Sequence, residues 1–126
     1  MKIEHLALYV KNLEKSRQFY CKYFEGESSN RYENMKKKLT SYFVRFAGGC
    51  RLELMHQPDR GLLNAKENLG IHHFAITVGS REQVDTLTDK LRRDGFTIFG
   101  EPRITGDGYY ESVVLDPDGN MVEITE

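Results

Sequence analysis

The 126-residue sequence predicts an α+β fold of two tandem βαβββ modules, and three observations carry that prediction. The opening stretch, residues 3–10 (IEHLALYV), recurs as residues 71–78 (IHHFAITV), with Ile, His, Ala and Val in the same four places. Residues 49–55 (GCRLELM) recur as residues 119–125 (GNMVEIT), sharing Gly and a Glu flanked by aliphatics. Between those ends, each half carries one helical segment followed by three short β-like runs. The length suits one domain. It divides into a first module over about 1–57, a linker over 58–69 and a second module over about 70–126.

Each element has a local reason. On the first strand Leu6, Leu8 and Val10 share one face, while Ile3, His5, Ala7 and Tyr9 share the other. Asn12 is placed to cap a helix whose inner side gathers Leu13, Tyr20, Tyr23 and Phe24. Strands are predicted over about 28–34, 39–46 and 50–57. The following PDRGLLNAKENL carries Pro, Gly and charge, the composition of a connector. In the second half Phe74, Ile76 and Val78 oppose His73, Ala75 and Thr77. Ser80 and Gln83 form the S-x-x-Q pattern of a capping box, Val84, Leu87 and Leu91 follow at helical spacing, and Gly95 supplies a left-handed stop. Strands follow over about 96–101, 109–115 and 120–125. Residues 105–110 (TGDGYY) read as a flexible loop whose aromatics, Tyr109 among them, either close over a ligand or pack. Residues 116–120 (DPDGN) read as a turn.

Side-chain alternation puts His5, Glu53, His73 and Glu123 on the sheet faces turned away from the helices. If the two modules curve toward each other, those faces line a cleft. A set of two imidazoles and two carboxylates suits a divalent ion such as Zn²⁺, Ni²⁺, Co²⁺, Mn²⁺ or Fe²⁺, with positions left for water or substrate. Two ionised Glu, two neutral His and one such ion also sum to zero charge, which makes the set tolerable when shielded from water. Taken singly, a His or Glu on a strand is an ordinary packed or solvated residue; the argument rests on their joint, repeated placement. His72 is expected on the helix-packing side and His56 on the face opposite Glu53, both as structural residues. The run Lys36-Lys37-Lys38 reads as a solvated turn. Cys21 and Cys50 show no CxxC spacing and are expected as buried free thiols, so the ligands must be His and carboxylates.

Composition narrows the partners. Eighteen basic and nineteen acidic side chains give a net charge of −1, without the basic excess of a nucleic-acid binder. No run approaches the ~18 apolar residues of a membrane span, and the alternating N-terminus lacks the apolar core of a signal peptide. The expectation is a soluble, cytoplasmic protein acting on a small molecule.

Four segments, IEHLALYV, NLEKSRQFY, GIHHFAITV and DPDGNMVEITE, together resemble the vicinal oxygen chelate superfamily, which includes glyoxalase, bleomycin-resistance and extradiol-dioxygenase proteins. The resemblance spans essentially the whole chain. It implies paired βαβββ modules forming an open, sheet-lined cup around a divalent metal (Ni, Zn, Co or Mn) that chelates two neighbouring substrate oxygens. The order His5, Glu53, His73, Glu123 is similar to that of bacterial glyoxalase I, lactoylglutathione lyase. That likeness implies proton transfer through an enediolate of a hemithioacetal, with Glu123 as the shuttling base and Glu53 as the steadier ligand. Alternatives on the same scaffold are an epimerase, a dioxygenase or a protein that sequesters a drug or metabolite. The resemblance also implies a homodimer. Two positions depart from the glutathione-using pattern: Tyr9 stands where Arg is usual, and Gln57 where Asn is usual. Both are substrate-side candidates, and they leave the identity of the thiol open.

Overall fold

A computed structural model describes residues 4–58, 71–106 and 108–126. The chain forms two compact units, Met1–Asn68 and Leu69–Glu126. Ile3, most of the expected linker at 58–69, and Asp107 lie outside the described residues.

The first unit runs β1 (His5–Tyr9), α1 (Leu13–Tyr23), β2 (Glu27–Ser28), β3 (Tyr32–Asn34), β4 (Leu39–Arg45) and β5 (Arg51–His56). Its sheet is ordered β1-β5-β4-β2, with β3 also on β4; β1 and β5 are parallel and the remaining pairs antiparallel. The Asn12 side chain caps α1 by accepting from the Lys15 amide at 2.9 Å. Leu13, Tyr20, Tyr23 and Phe24 bury the inner side of that helix, as its periodicity predicts, and Phe19 is buried with them. Opposite them lie Val44, Leu52 and Leu54, each worth about 1.5–3 kcal/mol of burial. Gly26 lets the chain turn back onto the sheet: a Cβ there would stand 2.4 Å from Val44 Cγ1 and 3.0 Å from the Tyr20 carbonyl oxygen.

The single strand expected over 28–34 is instead two short ones. Ser28 pairs with Val44 while Tyr32 pairs with Ser41, so this side carries one residue more than β4 can match. The surplus is taken up around Ser29, whose amide donates to the Phe43 carbonyl at 2.8 Å and whose hydroxyl accepts from the Phe43 amide at 3.0 Å.

The second unit runs β6 (His73–Thr77), α2 (Arg81–Arg93), β7 (Ile98–Ile104), β8 (Tyr110–Leu115) and β9 (Met121–Thr125), the predicted βαβββ order. Its sheet is ordered β6-β9-β8-β7, with β6 and β9 parallel. The Ser80 hydroxyl caps α2 by accepting from the Gln83 amide at 3.3 Å. Gly95 ends the helix at φ +87°, and the Phe96 amide donates to the Leu91 carbonyl at 3.0 Å. Val84, Thr88 and Leu91 meet Ser112, Val114, Val122 and Ile124 in the core, and the buried Thr88 and Ser112 hydroxyls satisfy each other at 2.6 Å. Strand β7 starts and ends later than expected and shifts register twice against β8, between Ile98 and Gly100 and again between Gly100 and Arg103. Pro102, which has no amide to give a ladder, falls inside the second shift.

Both cysteines are free thiols, but they are half-buried rather than buried. Lys36, Lys37 and Lys38 are exposed on a turn, as expected.

Candidate metal centre

The same backbone arrangement recurs in both units. In the first, parallel pairing sets His5 opposite Arg51 and Ala7 opposite Glu53; in the second it sets His73 opposite Met121 and Ala75 opposite Glu123. Each Glu therefore lies one pleat along from its His, on the face away from the helix. The aliphatic neighbours Leu52, Leu54, Val122 and Ile124 take the helix side and are buried.

In the second unit the side chains follow the backbone. His73 Nε2 lies 3.4 Å from Glu123 Oε1, and the Glu123 side chain is only 18% exposed. The pair opens into a cavity of about 360 Å³ whose walls include Phe99, Gly100, Val113 and Met121. In the first unit His5 turns instead to Glu4, with Nδ1 2.6 Å from Glu4 Oε2. Its ring meets Phe43 edge-on at 5.4 Å, and the Arg51 guanidinium lies over the other ring at 4.2 Å from the Phe43 centroid while also pairing with Glu4. The hydrogen bond to His5 holds the Glu4 carboxyl below the usual carboxylate range; desolvation opposes it, and hydrogen bonding and charge attraction from Arg51 add to the lowering. Glu53 is half-buried and has no ion-pair partner among the described residues.

His72 corrects the expectation that it packs toward the helix. It precedes the first residue of β6, where strand alternation does not apply, and it is exposed with Nδ1 2.8 Å from His73 Nδ1. So in both units the residue before the predicted ligand engages that ligand's Nδ1, and Nε2 is the nitrogen left to bind. Metal-binding imidazoles are commonly oriented by a carboxylate on the other ring nitrogen, as Glu4 stands to His5. In the first unit a carboxylate can only accept, which fixes the proton on Nδ1; in the second an imidazole can play either part.

The spacing of His73 and Glu123 is compatible with a shared divalent ion. Two atoms each ~2.1 Å from a shared ion and separated as His73 Nε2 and Glu123 Oε1 are would subtend about 110°, a tetrahedral angle. Among the described residues, no three His, Cys, Asp or Glu side chains gather into a ready-made cage.

The other candidates are dispersed. Tyr9 is exposed on the His5 face of β1. Gln57 follows β5, and its amide nitrogen donates to the Lys37 carbonyl at 3.2 Å. Tyr109 is exposed on a tight turn in which the Thr105 amide donates to its carbonyl at 2.8 Å, and it does not line the cavity. Its neighbour Tyr110 packs toward α2 and donates to Asp85 at 2.7 Å. His56 is structural, within hydrogen-bond distance (3.0 Å) of the Val10 carbonyl. Sequence reasoning passed over Arg103, which lines the cavity, and Glu111, a buried carboxylate 3.2 Å from it. A charged residue next to the apolar run Val113-Val114-Leu115 of β8 was the available signal for Glu111.

A sequence model of the Glyoxalase/Bleomycin resistance protein/Dioxygenase superfamily matches residues 2–124. The chain belongs to this superfamily. Its members typically use divalent metal ions and act on small molecules. Among relatives, a probable lactoylglutathione lyase of Vibrio cholerae is 26% identical over 99% of this chain and 90% of its own length. The catechol-2,3-dioxygenase of Bacillus subtilis is 28% identical over 97% of this chain. A glyoxalase I mutant from Zea mays superposes with a TM-score of 0.80 at 22% identity over 98% of this chain, a likeness of fold. The chain spans 40% of the dioxygenase and 44% of the maize protein. No helix among the described residues is long and apolar enough to cross a membrane.

Proposed function

We propose that this superfamily member is a metal-dependent lyase or isomerase of the glyoxalase I type, moving a proton between adjacent carbons of a small α-oxo compound such as a hemithioacetal. The observation that carries the proposal is the His/Glu pair repeated in one parallel register in both units, each His engaged at Nδ1 by the residue before it. His5, Glu53, His73 and Glu123 are the proposed ligands. A divalent ion bound by them supplies Lewis-acid stabilisation where negative charge develops on two neighbouring oxygens. Glu123 takes the proton from one carbon and returns it to the next, its carboxylate held beside His73 at the edge of the cavity. Glu53 stays a ligand. Val113 and Met121 line the cavity with apolar surface that limits water around the reacting carbons.

The test is a substrate panel on protein reconstituted with Ni²⁺ or Zn²⁺. Methylglyoxal is supplied with glutathione, then bacillithiol, then no thiol, and thioester formation and solvent deuterium uptake are followed. Product formation that disappears in Glu123→Gln is the expected result. Absence of proton exchange on every α-oxo compound would end the proposal. The catechol dioxygenase relative favours a second reading, oxygen insertion with Fe²⁺ at the same residues. Oxygen uptake by Fe²⁺-loaded protein with catechol, without proton exchange, would select it. We also propose a homodimer, as superfamily members often are; a monomer mass by light scattering would refute it.

A further inference from the structure

We propose that Arg103 is the anion-recognition residue of the second unit's cavity, receiving a carboxylate on the end of the substrate remote from the reacting oxygens. This deepens the glyoxalase-type reading and rests on it for treating the cavity as the active site.

Three observations converge on the guanidinium. Arg103 lines the same cavity as His73 and Glu123. Its path there runs over Gly100: a Cβ at that position would stand 2.9 Å from Arg103 Nη1 and 3.3 Å from Val113 Cγ2. Gly100 has no left-handed backbone to explain it, so the space above its Cα is what the glycine provides. Finally, Arg103 Nη2 donates to Glu111 Oε1 at 3.2 Å. The Glu111 side chain is 10% exposed and that of Arg103 is 50% exposed, so the carboxylate anchors the guanidinium from below. A guanidinium carries five N–H donors in a fixed fork, more than one carboxylate oxygen consumes. The two register shifts in β7 lie on either side of Gly100, both before Arg103, and such bulges re-aim side chains.

A structural ion pair alone would require neither the vacancy over Gly100 nor an Arg half open to a cavity walled by Phe99, Pro102, Val113 and Met121. Charge-assisted hydrogen bonds are strong in such surroundings. Topology sets where the anion must lie. Glu123 is on β9 and Arg103 on β7, two strands apart in the order β6-β9-β8-β7. With ~4.8 Å between neighbouring strands, their backbones are about 10 Å apart. The recognised group therefore sits several bonds from the oxygens at the reacting end.

The probes are a matched pair, 2-oxoadipate and 2-oxohexanoate, which differ only in a distal carboxylate. Affinities are measured by titration calorimetry, and binding at the guanidinium by the Arg103 Nε–H resonance in ¹⁵N-labelled protein. The wild-type chain should bind 2-oxoadipate about tenfold or more tightly than 2-oxohexanoate. That advantage should vanish in Arg103→Gln, persist in part in Arg103→Lys and shrink in Gly100→Ala, where the new methyl displaces the guanidinium. Arg103→Gln removes the Arg103 hydrogen bond from the buried Glu111, so Arg103→Gln/Glu111→Gln is run beside it with thermal melts of both. Equal affinity for the two acids in the wild type, or an advantage surviving in Arg103→Gln, would overturn the proposal. Co²⁺-loaded protein separates the two levels of failure. If neither acid alters the cobalt spectrum, the glyoxalase-type reading fails, and the distal-carboxylate advantage on metal-free protein still decides the role of Arg103.

Discussion

Beside the His5/Glu53 pair the register positions hold Arg51 and Phe43; beside His73/Glu123 the corresponding positions hold Met121 and Val113. Strand pairing is the same in both places, yet the surroundings are not. In the first unit Phe43, stacked between an imidazole edge and a guanidinium, covers the sheet face around His5. In the second, smaller and uncharged side chains leave the cavity into which His73 and Glu123 open. The lesson is that the repeat preserves backbone register and the His/Glu pair, while the side chains set beside that pair differ, and only in the second unit does the pair line a cavity of about 360 Å³ among the described residues.

The sharpest way to break this comparison is to exchange the roles of the two carboxylates. Glu123→Gln should lower turnover by about 10²–10⁴-fold, the range of a lost general base. Glu53→Gln should act mainly by weakening metal retention. Equal losses of turnover in the two variants at saturating metal would erase the distinction. Next in size is a transplant: Val113→Phe/Met121→Arg rebuilds the first unit's neighbours in the second. It should abolish binding of 2-oxohexanoate by calorimetry and cost about 1–3 kcal/mol in denaturant unfolding through overpacking.

A smaller effect tests the residues that precede the two imidazoles. Glu4→Ala and His72→Ala should each weaken metal affinity by about 10–100-fold in chelator competition. Glu4→Ala should have the larger effect, because a carboxylate fixes the tautomer of His5 and an imidazole does not fix that of His73. The smallest effect concerns the caps. Asn12→Ala and Ser80→Ala should each lose about 1 kcal/mol in urea unfolding; a large difference between them would mean the repeat does not extend to helix initiation.

The residues that were legible in the sequence are those whose placement depends on near neighbours. Leu6, Leu8, Phe74 and Ile76 alternate with His5, Ala7, His73 and Ala75, so their faces follow from a period of two. The same parity put His5, Glu53, His73 and Glu123 on the faces away from the helices. Asn12, Ser80 and Gly95 act on amides and carbonyls within a few positions of themselves, and each does what its side chain, or lack of one, dictates. Other features have no local signature. The extra residue near Ser29 and the shifts in β7 exist only relative to the strands they oppose. His72 escaped the period-two argument because it lies just outside the strand. Arg103 and Glu111 meet because the β7–β8 pairing sets them opposite each other, and the space over Gly100 matters only once that guanidinium has arrived. Periodicity and capping are short-range properties written along the chain, whereas register, cavity volume and charge pairing arise between strands and so had to await the folded sheet.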